Sequence, residues 1–233
     1  MAAQDVVRID KLSAQLGRRM KGNRSVDLRL GTRMVAGRLL PDGRKAVKLR
    51  GPNGDTTQVF DHVVNATYAS TNRIAGFFGF PVRPMRFDLL EMAVLRIPGA
   101  PRFMMTILDG PFTSLTHTGR DDLFMLSHIH QSILASQVTA DGLPPRWGPA
   151  RSNRDGLMAH GLRYLPILER ASFVESRIGV RTVEAFSEDF DGRPTVVTSH
   201  GFGCWSVLGG KIITAVSNAR EIVRAISRES NRN

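Results

Sequence analysis

A single cysteine, Cys204, among 233 residues rules out an internal disulfide framework. Long apolar runs are missing too: no stretch of about eighteen apolar residues occurs. The N-terminal MAAQDVVRIDKL lacks the apolar centre of a secretory signal, so a soluble cytoplasmic protein is the expectation. The net charge of +11 raises the question of nucleic acid. However, no zinc-ligand spacing, basic zipper or aromatic ribonucleoprotein motif accompanies it. Most arginines are dispersed, and only Arg18, Arg19 and Lys21 form a short cluster, so a solvated basic surface without sequence-specific nucleic-acid binding is expected. His117, His128 and His130 have no carboxylate or cysteine at a recognised metal spacing, which argues against a metal site. Neither an internal repeat nor a low-complexity segment is present. Cys204, beside Trp205, matches no nucleophile motif and reads as a small buried thiol.

What the sequence does contain is a series of alternating segments divided by turn residues. Ile9, Leu12, Leu16 and Met20 recur at helical spacing, and Gly22 and Asn23 close that helix. Strands are predicted over 25–30, 32–40, 45–50 and 56–60. Pro41-Asp42-Gly43 and Gly51-Pro52-Asn53-Gly54 turn the last three into a meander. Asp61 to Thr67 then places small residues after a short apolar strand, as where a parallel strand ends at a ligand. Strands at 91–97, 103–108, 112–117 and 123–129, separated by Pro98-Gly99-Ala100-Pro101, Asp109-Gly110-Pro111 and Gly119-Arg120-Asp121, predict a second, antiparallel sheet. Residues 138–152 read as a loop rich in proline and glycine, and 153–176 as mainly helical with a break at Pro166. Asp191-Gly192-Arg193-Pro194 leads into a strand at 195–198. Ile212, Val216, Ala219, Val223 and Ile226 give the stripe of a last helix.

The run from His200 to Ala215 is the most informative. It reads as a glycine-rich loop passing into that last helix, where free backbone donors and the helix dipole favour negative charge. The competing reading is that the glycines only turn the chain.

In order, these features resemble FAD-dependent oxidoreductases of the D-amino-acid-oxidase-like family, glycerol-3-phosphate dehydrogenase branch. The likeness rests on Leu30 to Met34, the meander, Asp61 to Thr67, Gly179-Val180-Arg181, Arg193-Pro194 and Ser206 to Lys211. It implies a mixed α/β and α+β fold: a partial FAD-binding sheet with a β-meander, plus an antiparallel-sheet substrate domain. Residues 1–76 would be the partial FAD-binding domain, 77–178 the substrate domain, and 179–233 the return to the FAD-binding domain with the C-terminal helix.

The resemblance also assigns residues. The Met34 backbone would face the adenine, and Ala66 and Thr67 would lie near the diphosphate or ribose. Gly201, Phe202, Gly203, Ser206, Val207, Leu208, Gly209, Gly210 and Lys211 would run beside the isoalloxazine ring. Arg181 would bind the acidic group of a small anionic amine or alcohol, a role that suits its planar fork, or else form a domain-interface salt bridge. The implied reaction is hydride removal from carbon, with the flavin accepting the electrons. No residue stands out as general base.

One departure from the family pattern is large. Its opening strand with Gly-x-Gly-x-x-Gly and an acidic ribose partner has no counterpart, since Gly17, Gly22 and Gly31 lack that spacing. Three explanations follow: the sequence is part of a longer protein, a separate chain supplies the dinucleotide-binding half, or the fold persists as a non-catalytic binding or assembly module that has lost FAD.

Overall fold

The computed structural model describes residues 8–107, 112–186 and 195–230. The predicted turns Asp109-Gly110-Pro111 and Asp191-Gly192-Arg193-Pro194 therefore lie outside the described residues. Helix α1 (Ile9–Lys21) ends at Gly22, whose N–H donates to the Arg18 carbonyl. Residues 25–30 form no strand, a correction to the alternation of Val26, Leu28 and Leu30. Leu30 is 68% exposed, and among the described residues no strand ladder includes this stretch.

The meander is present as β1 (Arg33–Leu39), β2 (Lys45–Gly51) and β3 (Gly54–Phe60), antiparallel throughout. Gly43 and Gly54, at φ 80° and 103°, occupy the left-handed backbone region that these two turns require. Strand β4 (Val63–Asn65) follows. Just before it, the Asp61 carbonyl accepts from the ammonium of Lys45, a buried lysine at the start of β2. A single 3-10 turn (Tyr68–Ser70) then leads into α2 (Thr71–Phe77). Ile74 and Phe78 pack with Val47 as a small core, flanked by Met34 and Leu49.

The antiparallel sheet is larger than predicted. It contains β5 (Met85–Arg96), β6 (Met104–Thr106), β7 (Thr113–His117), β8 (Leu123–His128), β9 (Ile133–Thr139) and β10 (Ser172–Glu184). The strand order is β10-β5-β8-β7-β6, with β9 also paired to β5. Alternation buries Leu115 of β7 and Phe124 and Leu126 of β8 on one face, against Leu157, Leu165 and Leu168. Each such side chain, fully buried, stabilises by about 1.5–3 kcal/mol. Leu157 lies on α3 (Arg154–Leu162) and Leu168 on the 3-10 turn that begins at Pro166 (Pro166–Arg170), with Leu165 just before that turn. Helical structure stops there, so the predicted helix to residue 176 is too long. Ser172 onward is extended and largely exposed on both faces, which leaves no periodic burial signal for β10.

The chain closes with β11 (Val196–Gly201), β12 (Cys204–Leu208), a 3-10 turn (Ile212–Thr214) and α4 (Ala215–Ser230). These make a three-stranded sheet ordered β11-β12-β4, in which β12 runs parallel to β4. Two compact units result. One comprises Met1–Leu28, Asp88–Ser136 and Trp147–Arg181; the other comprises Arg29–Phe87, Gln137–Arg146 and Thr182–Asn233. Among the described residues, no helix is long and apolar enough to cross a membrane.

Candidate functional site

The parallel pair β4–β12 defines the site. Val63 and Val64 of β4 pair with Cys204 and Trp205, and Asn65 at the carboxyl end of β4 pairs with Ser206, two residues before β12 ends at Leu208. Beyond these ends both chains continue into small residues, Ala66 on one side and Gly209-Gly210 on the other. A cavity of about 440 Å³ opens here, lined by Ala66, Val207, Gly209, Gly210, Lys211 and Ile222 of α4. Gly209 has open space where a Cβ would stand, so a flat group could approach its backbone closely.

The turn into α4 is held by hydroxyls. Gly210 N–H donates to Thr195 Oγ1 at 3.0 Å. Thr195 and Thr214 hydroxyls pair at 2.7 Å, and Thr214 Oγ1 donates to the Lys211 carbonyl at 2.8 Å. The apolar stripe expected to bury α4 is instead open, with Val216 61% and Val223 60% exposed, while Ile222 is the buried position.

Not all of the expected contact residues gather here. Gly201, Phe202 and Gly203 form the β11–β12 hairpin turn, at φ 74°, 52° and 66°. The glycine-rich loop thus does not pass directly into the helix. Strand β12 intervenes and places that turn at its other end, Gly203 about 20 Å from Gly209 at the usual rise per residue. Ser206 and Leu208 alternate with Val207 and line a second cavity on the opposite face of the sheet. Met34 sits on β1, packed against the small core of Val47, Ile74 and Phe78. Thr67 is turned back on Asn65, whose Oδ1 accepts from its N–H at 3.3 Å and its hydroxyl at 2.7 Å.

Arg181 lies on β10. Its guanidinium donates to Asp88 Oδ2, from Nε at 2.9 Å and from the terminal nitrogen at 2.8 Å. Asp88 is buried at 1% exposure and also accepts from the Ser136 hydroxyl at 2.6 Å.

No role follows from the sequence for Asn65, Thr195 or Thr214, although Asn65 and Thr214 lie within the runs Asp61 to Thr67 and His200 to Ala215. Asn65 bonds Ser206 across 141 residues of sequence and Thr195 bonds Gly210 across 15, and separations of this kind carry no local signature. Burial pushes the Cys204 thiol up, with Lys45 opposing and Glu229 adding, which fits an inert thiol. His117 has a structural role: Gly119 N–H donates to its Nδ1, so the proton sits on Nε2, which donates to the Asp121 carbonyl, each at 2.9 Å. Among the described residues, no group of three or more His, Cys, Asp or Glu is placed to hold a metal.

No family model matches this chain, and no curated protein matches it. Solved structures do. The glycerol-3-phosphate dehydrogenase from Bacillus halodurans, complexed with FAD, is similar over 86% of this chain and 39% of its own, with 17% identity and a TM-score of 0.59. Glycine oxidase from Geobacillus kaustophilus is similar over 82% and 46% respectively, with 17% identity and a TM-score of 0.56. For L-proline dehydrogenase from P. horikoshii the shares are 77% and 44%, with 14% identity and a TM-score of 0.53. The chain therefore spans less than half the length of each of these structures. At such identities the likeness is one of fold alone: mixed α/β with several antiparallel sheets and few helices, as in part of the FAD-complexed dehydrogenase.

Proposed function

We propose that this chain forms the ring-side part of an FAD-dependent oxidoreductase whose complete assembly removes hydride from a C–H bond of a small anionic amine or alcohol. One observation carries the reading. Ala66, Val207, Gly209, Gly210 and Lys211 meet around a single cavity at the carboxyl end of a parallel strand pair. Open α/β sheets bind ligands at that end, and the fold is shared with a dehydrogenase complexed with FAD.

The residues present fit the ring end of such a cofactor. Gly209 leaves the backbone open to a flat group. Val207 and Ile222 supply an apolar wall that excludes water, and Lys211 supplies positive charge. Bound flavin would supply the electron acceptor. This chain's residues would hold the ring edge, while Arg181 would orient the acidic group of the substrate.

In this reading 1–76 and 179–233 belong to the FAD-binding part and 77–178 to the substrate part. The diphosphate grip comes from another segment of a longer protein or from a separate chain. The edge position of β4, with Val64 44% exposed, and the open apolar stripe of α4 support docking of that half beside them. A flavin-free binding module is the second reading. It is favoured by one contact, the Gly210 N–H already given to Thr195.

Titration of the full chain with lumiflavin, followed by fluorescence quenching, tests the proposal on the ring alone. The protein should purify colourless and still quench lumiflavin saturably. Gly210→Val should weaken that binding at least about tenfold while moving the thermal midpoint only a few degrees, because a β-branched side chain would crowd the ring edge. Absence of saturable quenching would sink the reading. So would a variant that loses thermal stability with its flavin binding unchanged.

A further inference from the structure

The face of the β11–β12–β4 sheet opposite α4 holds a cavity of about 330 Å³, formed within one compact unit. Its floor is a fixed hydrogen-bond chain. Asn65, 5% exposed, donates through Nδ2 to the Thr71 carbonyl at 2.8 Å and to Ser206 Oγ at 3.1 Å. Ser206 Oγ is in turn bonded to His200 Nε2 at 2.8 Å. The His200 ring stacks on Phe80, with centroids 4.5 Å apart and planes 7° from parallel, so the imidazole is held by edge and face together. Burial lowers its pKa and the nearby Arg83 lowers it further, which keeps the ring neutral near pH 7.

Two polar groups of this wall remain available. His200 Nδ1 and Thr198 Oγ1 make no hydrogen bond among the described residues, although both side chains line the cavity. Among the described residues of the wall one cation meets one anion: Arg83 donates to Glu184 Oε1 at 2.6 Å. Phe80, Met85 and Leu208 supply apolar surface. An ionic ligand would surrender its hydration for a wall whose described cation and anion already face each other. A neutral ligand able to donate and to accept meets matching groups. At about 30 Å³ per water, the space equals that of about ten waters, enough for a ligand of about ten heavy atoms.

We propose that this cavity binds a small uncharged molecule carrying a hydrogen-bond donor and an acceptor on an apolar frame, with aromatic primary carboxamides as the simplest class. The site is separate from the cavity at Gly209 and Lys211, because Ser206 and Val207 point to opposite faces of β12. It does not depend on flavin.

The test uses three molecules of one shape and different charge, namely benzamide, benzoate and benzamidinium, titrated into the full chain and followed by amide NMR shifts. Benzamide should bind saturably and shift Thr198, His200 and Ser206, with the two ions at least about tenfold weaker. Thr198→Val keeps the side-chain shape and removes the hydroxyl, so it should weaken benzamide about fivefold, the scale of one hydrogen bond. Val196→Trp should fill the space and abolish binding. Several results would overturn the proposal: no saturable binding of benzamide by about 10 mM, equal or tighter binding of either ion, shifts centred on Ala66 and Lys211, or an unchanged affinity in a folded Thr198→Val protein.

Discussion

Arg181→Met should cost about 3–5 kcal/mol of unfolding free energy, the loss expected when one partner of a buried ion pair is removed. Asp88 is 1% exposed, and the guanidinium bonds one of its oxygens through two nitrogens, so truncation takes two charge-assisted hydrogen bonds from a buried carboxylate that also accepts from Ser136. Urea denaturation would read the loss. Adding Asp88→Asn should restore most of it, because the second change removes the buried charge that the guanidinium balances. This bears directly on the substrate role proposed for Arg181. If the side chain also anchors an acidic group, its loss weakens substrate binding by about 1.5–3 kcal/mol, the worth of a charged hydrogen bond, on top of the structural cost. An Arg181→Met protein as stable as its parent, with affinity for an anionic substrate reduced, would assign the residue to binding alone. A destabilised variant rescued by Asp88→Asn would show that the pair with Asp88 carries the structural role.

The parts of this molecule legible in its sequence are those whose signal is local. Pro41-Asp42-Gly43 and Gly51-Pro52-Asn53-Gly54 specify tight turns, and the meander between and around them forms with β1 to β3 in antiparallel order. The small residues after Val63-Val64 mark the end of a parallel strand for a similar reason: a side chain there would fill the space in front of the sheet. Alternation alone does not suffice, as Val26, Leu28 and Leu30 show, because a strand needs a neighbour to accept its backbone hydrogen bonds. Periodicity likewise tells which residues of α4 share a face, but not whether anything covers that face. Val216 and Val223 are exposed while Ile222 is buried. Strand β10 has the opposite difficulty, with exposed residues on both faces and hence no period to read.

The candidate site divides along the same line. Ala66 and Gly209 to Lys211 are recognisable because each follows a strand end, and the fold brings them to one cavity. Gly201 to Gly203 belong to the same glycine-rich run but serve a hairpin, where positive φ is the requirement. Composition cannot separate a glycine needed for its backbone angle from one needed for open space. Strand β12, only five residues long, makes the difference by holding the two groups apart.

Glu91 carries the other large expected effect, because it is the acceptor on which three donors from two segments converge. Fully buried on β5, it accepts from the Ser152 hydroxyl at 2.6 Å, from the Ser176 hydroxyl of β10, and from the Asn153 N–H at 2.7 Å. Asn153 begins α3, and its own side chain donates to Gln131. Glu91→Leu should therefore cost about 3–4 kcal/mol, since each buried donor left without an acceptor costs about 1–3 kcal/mol and some recover partners on relaxation. Glu91→Gln should cost less, about 1–3 kcal/mol, because one oxygen remains while the new amide can set a donor against a donor. Burial alone would raise the carboxyl pKa, but the donors from Ser152, Ser176 and Asn153, with Arg154 nearby, hold it below the ordinary value of 4.5. A depressed folded-state pKa contributes stability that is present above the unfolded value and lost as pH falls through the folded one. The gap in unfolding free energy between parent and Glu91→Gln should accordingly be widest near neutrality and narrow on the acid side of 4.5. Urea midpoints of both proteins measured from neutral to acid pH give the answer. A gap that stays constant across that range would mean that the variant loses packing or hydrogen-bond geometry and that the Glu91 charge contributes nothing.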